Sequence, residues 1–105
     1  MLNKIMLIGR FGRDPEMKYS EKGNPWTTFS MAVGHNGETQ WFDCKCFNKT
    51  AEFVNEHGAK GRLAYVEGKM VCETWEKDGQ THKAWRVIVE RLEFLDPKKV
   101  ESPTE

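Results

Sequence analysis

The sequence predicts an all-β fold, a small closed barrel of five strands with one short helix between the third and the fourth strand. Three observations lead to this prediction: side chains alternate with a period of two through most of the chain, only one stretch carries helix signals, and glycine-containing turns separate the extended segments. The 105 residues suffice for one domain with one core. We expect this domain to span residues 1–96, followed by a short flexible tail over 97–105.

The first two predicted strands differ in their patterns. Lys4–Gly9 is apolar on both faces, which is typical of a strand that is covered on each side. Thr27–Val33 follows a loop with Gly23-Asn24-Pro25 and alternates cleanly, with Phe29 and Met31 on the inward face. The second strand is therefore expected to have one face in the core and one in solvent.

Residues 41–47 form a third predicted strand whose two faces differ in chemistry. The even-numbered side chains are all apolar and suit a core. The odd-numbered side chains interleave two large aromatics with two charges: Trp41, Asp43, Lys45 and Phe47. Because charged residues are almost never fully buried without a partner, we expect this face to meet solvent. Such a surface is typical of proteins that stack the bases of single-stranded nucleic acid; the alternative is a tryptophan buried over the edge of the core.

The third strand lies between a turn and the helix. Asn36-Gly37 predicts a tight hairpin turn before it. After it, Lys49–His57 is predicted to be the helix, with Asn48 as its N-cap and Gly58 as its C-cap.

Two long strands complete the predicted barrel. Arg62–Trp75 contains Gly68, which indicates a bend or bulge, and the turn Asp78-Gly79 leads back into His82–Leu95. Five strands with one helix after the third is the order of an OB-fold, a Greek-key barrel that binds oligonucleotides and oligosaccharides.

Charge neither requires nor excludes a polyanionic ligand. Sixteen basic residues balance sixteen acidic ones, so no strong global field steers such a ligand to the protein. The first quarter of the chain nevertheless carries an excess of basic residues, which can bind phosphate locally. These residues are Lys4, Arg10, Arg13, Lys18 and Lys22.

The sequence gives little support to an enzyme or a metalloprotein. Its histidines are scattered, and it contains no glycine-rich phosphate loop, nucleophile elbow or paired ligand spacing. Three cysteines are an odd number for a disulfide framework, and Cys44 and Cys46 share an apolar face, so we expect reduced core thiols. We therefore expect no catalytic residue, no metal and no cofactor. Without an apolar run of membrane-spanning length or a signal peptide, a soluble, cytoplasmic protein is expected.

Longer segments of the chain closely resemble the bacterial and phage single-stranded DNA-binding proteins. The resemblance runs from Met1 to about Asp96, and its opening segment is the most specific part. It rests on Met-Leu-Asn-Lys-Ile-Met-Leu-Ile-Gly-Arg-Phe-Gly-Arg-Asp-Pro-Glu at the start, Gly23-Asn24-Pro25 before Phe29-Ser30-Met31-Ala32, Tyr65-Val66-Glu67-Gly68, and Phe94-Leu95-Asp96. It implies a non-enzymatic OB-fold protein that coats single-stranded DNA in replication, recombination or repair, associated with the nucleoid. The nearest alternative is a primosome-type OB protein that docks a replication partner.

The resemblance also implies which residues contact DNA. Bases would stack on Trp41, Phe47 and Trp75. Phosphates would be contacted by Lys18, Lys49 and Lys60, with Arg10, Arg13 and Lys4 as weaker candidates. Trp26 and Trp85 are additional large aromatics. Trp26 lies on the outward set with Thr28 and Ser30, where it could stack a base, cover a subunit interface or cap the barrel rim.

Several departures from the family pattern modify these expectations. The shortened hairpin His35–Thr39 lacks the aromatic that relatives usually carry there, so we expect a smaller DNA site size. Asp43, Glu73 and Thr74 stand where relatives often carry basic residues, so we expect weaker electrostatic affinity. The resemblance implies a homo-oligomer, a dimer or a tetramer, and Phe42 replaces the histidine of many tetrameric relatives. The chain ends without an acidic tip with Pro-Phe, so we expect that partners recruited through such a tail are not bound.

Overall fold

The structure, a computed structural model, describes residues 1–97. The predicted tail over 97–105 therefore lies, except for Pro97, outside the described residues, and the domain boundary at residue 96 stays a prediction. The described elements are β1 (Ile5–Phe11), β2 (Glu16–Tyr19), β3 (Pro25–His35), β4 (Glu38–Phe47), α1 (Asn48–His57), β5 (Leu63–Lys77) and β6 (Gln80–Phe94).

All six strands belong to one sheet that closes into a barrel. The strand order is β1-β5-β6-β4-β3-β2, and β1 also pairs with β3. Strands β4 and β6 run parallel over a short stretch, while the other pairs are antiparallel. This topology, with α1 following β4, confirms the predicted all-β OB-fold.

The sequence prediction of five strands misses β2. This strand has four residues, pairs only with β3, and has a single half-buried side chain, Met17. A short edge strand of this kind buries too little to produce an alternating pattern, so the segment resembles a loop in the sequence. The two hairpin turns, in contrast, lie where predicted: Asn36 and Gly37 have φ of 50° and 79°, and Asp78 and Gly79 have φ of 56° and 75°.

The predicted N-cap of the helix is wrong. Helix α1 begins directly at the end of β4, and its cap position is Phe47, which is extended and makes no side-chain cap hydrogen bond. Asn48 instead has φ of 56° and turns the chain from strand into helix, a conformation that asparagine tolerates better than most residues. Gly58 ends the helix as predicted, and its N–H donates to the Val54 carbonyl at 2.7 Å.

Gly68 lies at a bulge between β5 and β6, as predicted. Glu67 pairs with Arg91 and Gly68 with Val89, which leaves Glu90 without a partner. A Cβ at Gly68 would come within 2.0 Å of the Ile88 carbonyl oxygen. Only glycine allows this close approach of the two backbones, so the bulge depends on it.

The barrel interior is apolar and includes two thiols. Phe11 stacks on Phe29 at 4.4 Å between ring centroids, and both rings are buried. Cys44 and Cys46 are fully buried in the same cluster, which confirms the inward face of β4. Burial is also the main cause that raises the pKa of both thiols, that of Cys46 to about 12.

Strand β1 differs from its prediction. Ile5 and Leu7 pack against the core, but Met6 and Ile8 on the other face are 63% and 57% exposed. The expectation of a strand covered on both faces is therefore not met within one chain. The result is an exposed apolar patch, Met6 and Ile8.

A partly buried ion pair holds the end of β6 against the helix end. Arg62 is 8% exposed, and its guanidinium donates to Asp96 Oδ1 at 2.9 Å and to the His57 carbonyl at 2.8 Å. The same guanidinium lies 4.0 Å from the centroid of the Phe94 ring. The hydrogen bond from Arg62 holds the pKa of the Asp96 carboxyl below its usual range. One charged group thus joins the helix end, β5 and β6.

The burial of two of the three cysteines predicts their reactivity. Only the thiolate is nucleophilic, and a buried thiol with a raised pKa forms little of it. In the folded protein at pH 8, Ellman's reagent should therefore titrate one thiol, Cys72, while all three react in denaturant. Fast reaction of two or three thiols in the folded state would mean that β4 has the opposite register.

The Arg62–Asp96 pair predicts a pH dependence of stability. Because the folded pKa of Asp96 is below its unfolded value of about 3.9, the pair stabilises the fold fully above that value and loses its contribution as pH falls through the folded pKa. We expect Asp96→Asn to lower the melting temperature at pH 7. We also expect the difference from the parent to shrink as the pH is lowered below 4. A difference that is constant from pH 7 to pH 2 would contradict this role.

Candidate nucleic-acid interface

The pairing of β3 with β4 sets which side chains form the outer surface of the barrel. The two strands are in register over ten residue pairs, from Trp26 opposite Phe47 to His35 opposite Glu38. Because side chains alternate along a strand, burial of Cys44 and Cys46 turns the odd-numbered residues of β4 outward. Trp41 is 61% exposed and Phe47 is 43% exposed. These two rings thus lie six residues apart on one outward strand face, Phe47 at its end.

Trp41 lies over the junction of β1 and β3. It is opposite Ala32, which is in turn opposite Arg10 of β1. Its ring lies against the backbone of Gly12, where a Cβ would come within 2.3 Å of the indole. The small residues at positions 12 and 32 let the ring lie along the barrel surface, with one face toward solvent.

Phe47 belongs to a cluster of two rings and two lysines. Trp26 lies beside it on β3 and is half-buried. Lys45 Nζ is 4.6 Å from the centroid of a Trp26 ring and 5.7 Å from that of Phe47. Lys18 Nζ, from β2, is 5.4 Å from Trp26. The predicted phosphate contact Lys18 is therefore close to a predicted stacking residue.

Trp75 lies on the same outer face, on the long hairpin of β5 and β6. It is 43% exposed, and its ring stacks on His82 at 5.7 Å between centroids. Glu73, two residues earlier, accepts from Arg86 at 2.6 Å and from Lys45 at 3.5 Å. Glu73, Thr74, Trp75 and Arg86 line a shallow depression. The Glu73 carboxylate thus links the Trp75 region to the Phe47 cluster and partly neutralises Lys45 and Arg86.

The other predicted basic residues are more scattered. Arg10 donates to the Gly61 carbonyl at 2.9 Å, and Arg13 is 3.8 Å from the Glu16 carboxylate. Lys49 lies beside the groove between α1 and β6. Lys60 follows the helix, and its N–H donates to Asp14 at 2.8 Å. The Arg10 backbone is thus two strands from Trp41, but its guanidinium reaches the segment after the helix that also carries Lys60. Lys49 and Lys60 lie around the helix.

Lys4 is already paired within the chain. Its ammonium is 2.6 Å from Glu67, which also accepts from the Tyr65 hydroxyl at 2.6 Å. The hydrogen bond from Lys4, followed by that from Tyr65, lowers the pKa of the Glu67 carboxyl. Sequence reasoning could not detect this pair because its members are 63 residues apart. An external phosphate would have to compete with Glu67 for the Lys4 ammonium.

Trp26 and Trp85, the two tryptophans outside the predicted site, lie on different faces of the sheet. Trp26 lies on the outward face of β3 that the sequence predicts, and the pairing with β4 brings it beside Phe47. Trp85 is 62% exposed and pairs with Cys72, on the face of the hairpin opposite to Trp75. Lys45, which lies close to Trp26 and Phe47, was not predicted from the sequence as a contact, because its approach to Trp26 follows from the strand register and not from any local pattern.

Within residues 1–97, no three His, Cys, Asp or Glu side chains come together in a way that could hold a metal ion. In that same part of the chain, no helix is long and apolar enough to cross a membrane.

Comparisons with known proteins agree with this fold. The profile of the single-strand binding protein family matches residues 2–95. The chain is 33% identical to a single-stranded DNA-binding protein of Staphylococcus epidermidis, covering 99% of this chain and 84% of that protein. It is 37% identical to one of Thermotoga maritima, covering 98% and 80%.

A solved structure described as a Plasmodium falciparum SSB complex with ssDNA is similar over 91% of this chain and 96% of that one. Its TM-score is 0.83, at 29% sequence identity. The fold, the full-length sequence similarity and the family profile lead to the same conclusion: the chain belongs to the single-strand binding protein family.

Proposed function

We propose that this protein binds single-stranded DNA without strong sequence preference and coats strands exposed during replication, recombination or repair. The observation that carries the proposal is the exposure of Trp41, Phe47 and Trp75, by 61%, 43% and 43%, on an outer surface that also carries charges. Leaving large rings in water is costly unless a ligand covers them. Unpaired bases are such a ligand, since every base has a π-face, and stacking contributes about 1–3 kcal/mol per base.

Base stacking would also explain a preference for single-stranded over double-stranded DNA. In a duplex the faces of the bases are already stacked on their neighbours, so they are not free to contact a protein ring. A platform of rings without base-specific hydrogen-bond partners accepts any base. We therefore expect discrimination by strandedness and little discrimination by sequence.

The phosphate contacts would follow from the positions of the basic residues. Lys18 is the first candidate because it lies beside the Phe47 cluster. Arg13 would contact the strand near Trp41, and Arg10 would contact it near the segment after the helix. Lys49 and Lys60 would extend the path around α1, and Lys4 would contribute least because Glu67 already neutralises it. With Asp43 and Glu73 on the same face, stacking rather than charge would provide most of the affinity.

Membership of the family agrees with the expectation of a binding protein rather than an enzyme. The names of the relatives do not favour the primosome-type alternative.

Strand β1 supports self-association. Its segment Ile5–Gly9 pairs with β5 on one side only, since pairing with β3 is confined to Arg10 and Phe11. The same segment exposes Met6 and Ile8. A second copy could cover this apolar patch and satisfy the open strand edge, so we infer a homo-oligomer that contains at least a dimer through β1.

Substitution of the outward rings should weaken DNA binding without unfolding the protein. We expect Trp41→Ala and Trp75→Ala each to lose about 1–3 kcal/mol of binding free energy for a labelled oligothymidine, measured by fluorescence anisotropy. Trp85→Ala is the matched control, because Trp85 is as exposed as Trp41 but lies on the opposite face of the hairpin. Equal losses in all three variants, or none in the first two with cooperative melting retained, would refute the assigned face.

The β1 patch should control assembly. We expect the parent protein to be a dimer or larger at micromolar concentration in light scattering, and Ile8→Asp to be smaller because it places a charge in the apolar contact. Tyr19→Asp is the matched control, since Tyr19 is 63% exposed and lies on β2. A monomeric parent would contradict this inference, as would an Ile8→Asp variant that assembles like Tyr19→Asp.

A further inference from the structure

The cluster around Trp26 has a composition that neither stacking nor barrel packing explains. Two ammonium groups, from different strands, lie near the rings of one half-buried tryptophan. Lys18 approaches at 5.4 Å and Lys45 at 4.6 Å. Like charges repel, and Glu73, the one carboxylate of the described residues within reach of this pair, lies 3.5 Å from Lys45 while its shorter contact is to Arg86. The nearby ring offsets part of the repulsion, because its π-electrons attract a cation.

We propose, on the basis of the single-strand binding proposed above, that Trp26 is a positioning residue that holds Lys18 and Lys45 beside Phe47 as a site for one backbone phosphate. The four residues together form a nucleotide subsite, with the base on Phe47 and its phosphate at the two ammonium groups. Lys45 is 5.7 Å from the Phe47 centroid, and a nucleotide carries its phosphate one sugar away from its base. Trp26 itself contacts the lysines and not a base.

The local carboxylates leave the two lysines available. Glu73 is 3.5 Å from Lys45, but its short hydrogen bond, 2.6 Å, is to Arg86. Glu16, the outward acid of β2, lies 3.8 Å from Arg13. Lys45 is therefore shared loosely between a carboxylate and a ring, and an arriving phosphate can replace the weaker of these contacts.

A tryptophan at position 26 would favour binding because it restrains the two lysine side chains before DNA arrives. Fixing a long flexible side chain on binding costs roughly 0.5–1.5 kcal/mol, which is about a 2- to 12-fold loss of affinity. A ring that already restrains both lysines lowers this cost before DNA arrives. Trp26 would thus raise affinity without touching the ligand.

Two measurements test this arrangement: the salt dependence of DNA affinity, and the effect of Trp26→Leu in a protein that lacks both lysines. We expect Lys45→Gln to reduce the slope of log affinity against log salt by about 0.7, the contribution of one phosphate contact on a single strand. Lys83→Gln, which removes a lysine from the opposite face of the hairpin, should leave the slope unchanged. Trp26→Leu should weaken binding about fivefold in the parent protein.

The same Trp26→Leu change should have less than about a twofold effect in a Lys18→Gln/Lys45→Gln background, because the ring then has no ammonium group to position. A fivefold loss that persists in this background would mean that Trp26 stacks a base directly, and it would overturn the proposal. An unchanged slope of log affinity against log salt in Lys45→Gln would also overturn it.

Thermal melts establish that each variant folds. If Trp26→Leu does not fold, the salt slope of Lys45→Gln alone tests the proposal. If the parent protein does not bind single strands, the proposed function itself is wrong. If the parent binds but the variants bind as the parent does, only the proposed subsite is refuted.

Discussion

The ten-pair register of β3 and β4 is the constraint on which the proposed binding surface depends. A slip of one residue would exchange the two faces of a strand completely. It would expose Cys44 and Cys46, which are now fully buried, and would bury Asp43 and Lys45 in the apolar core. Packing of the core thus fixes the outward direction of Trp41 and Phe47, and no separate contact on the surface is needed to turn these rings outward.

Charge has a secondary and local role in this molecule. The chain is neutral overall, and several of its surface cations are held in ion pairs, such as Lys4 with Glu67 and Arg86 with Glu73. Exposed pairs of this kind contribute little to stability, but they reduce the positive potential that a polyanion would meet. The region around Lys18 and Lys45 is different because an aromatic ring accompanies the cations. Affinity for a strand would therefore be concentrated where rings and lysines coincide.

Much of the fold and part of the site could be predicted from the sequence. Period-two alternation is a local property, so the outward face of β4 and the inward Phe29 and Met31 were correctly predicted, as was the bulge at Gly68. Strand β2 was not, because four residues at a sheet edge leave no pattern.

The remaining errors have a common origin in contacts between distant segments. The role of Asn48 depends on how β4 continues directly into α1. The pairing of Lys4 with Glu67, and the approach of Lys45 to Trp26, follow from strand register across the sheet. No single stretch of sequence contains that information.

Intrinsic tryptophan fluorescence of the unmodified protein tests the central claim most directly, because Trp41 and Trp75 would report stacking themselves. Titration with an oligothymidine should quench the emission and saturate, whereas a duplex of the same length should cause little change. Equal quenching by both nucleic acids would point to attraction by phosphates alone. The absence of quenching by the single strand would contradict the assignment of the exposed rings as a base-stacking surface.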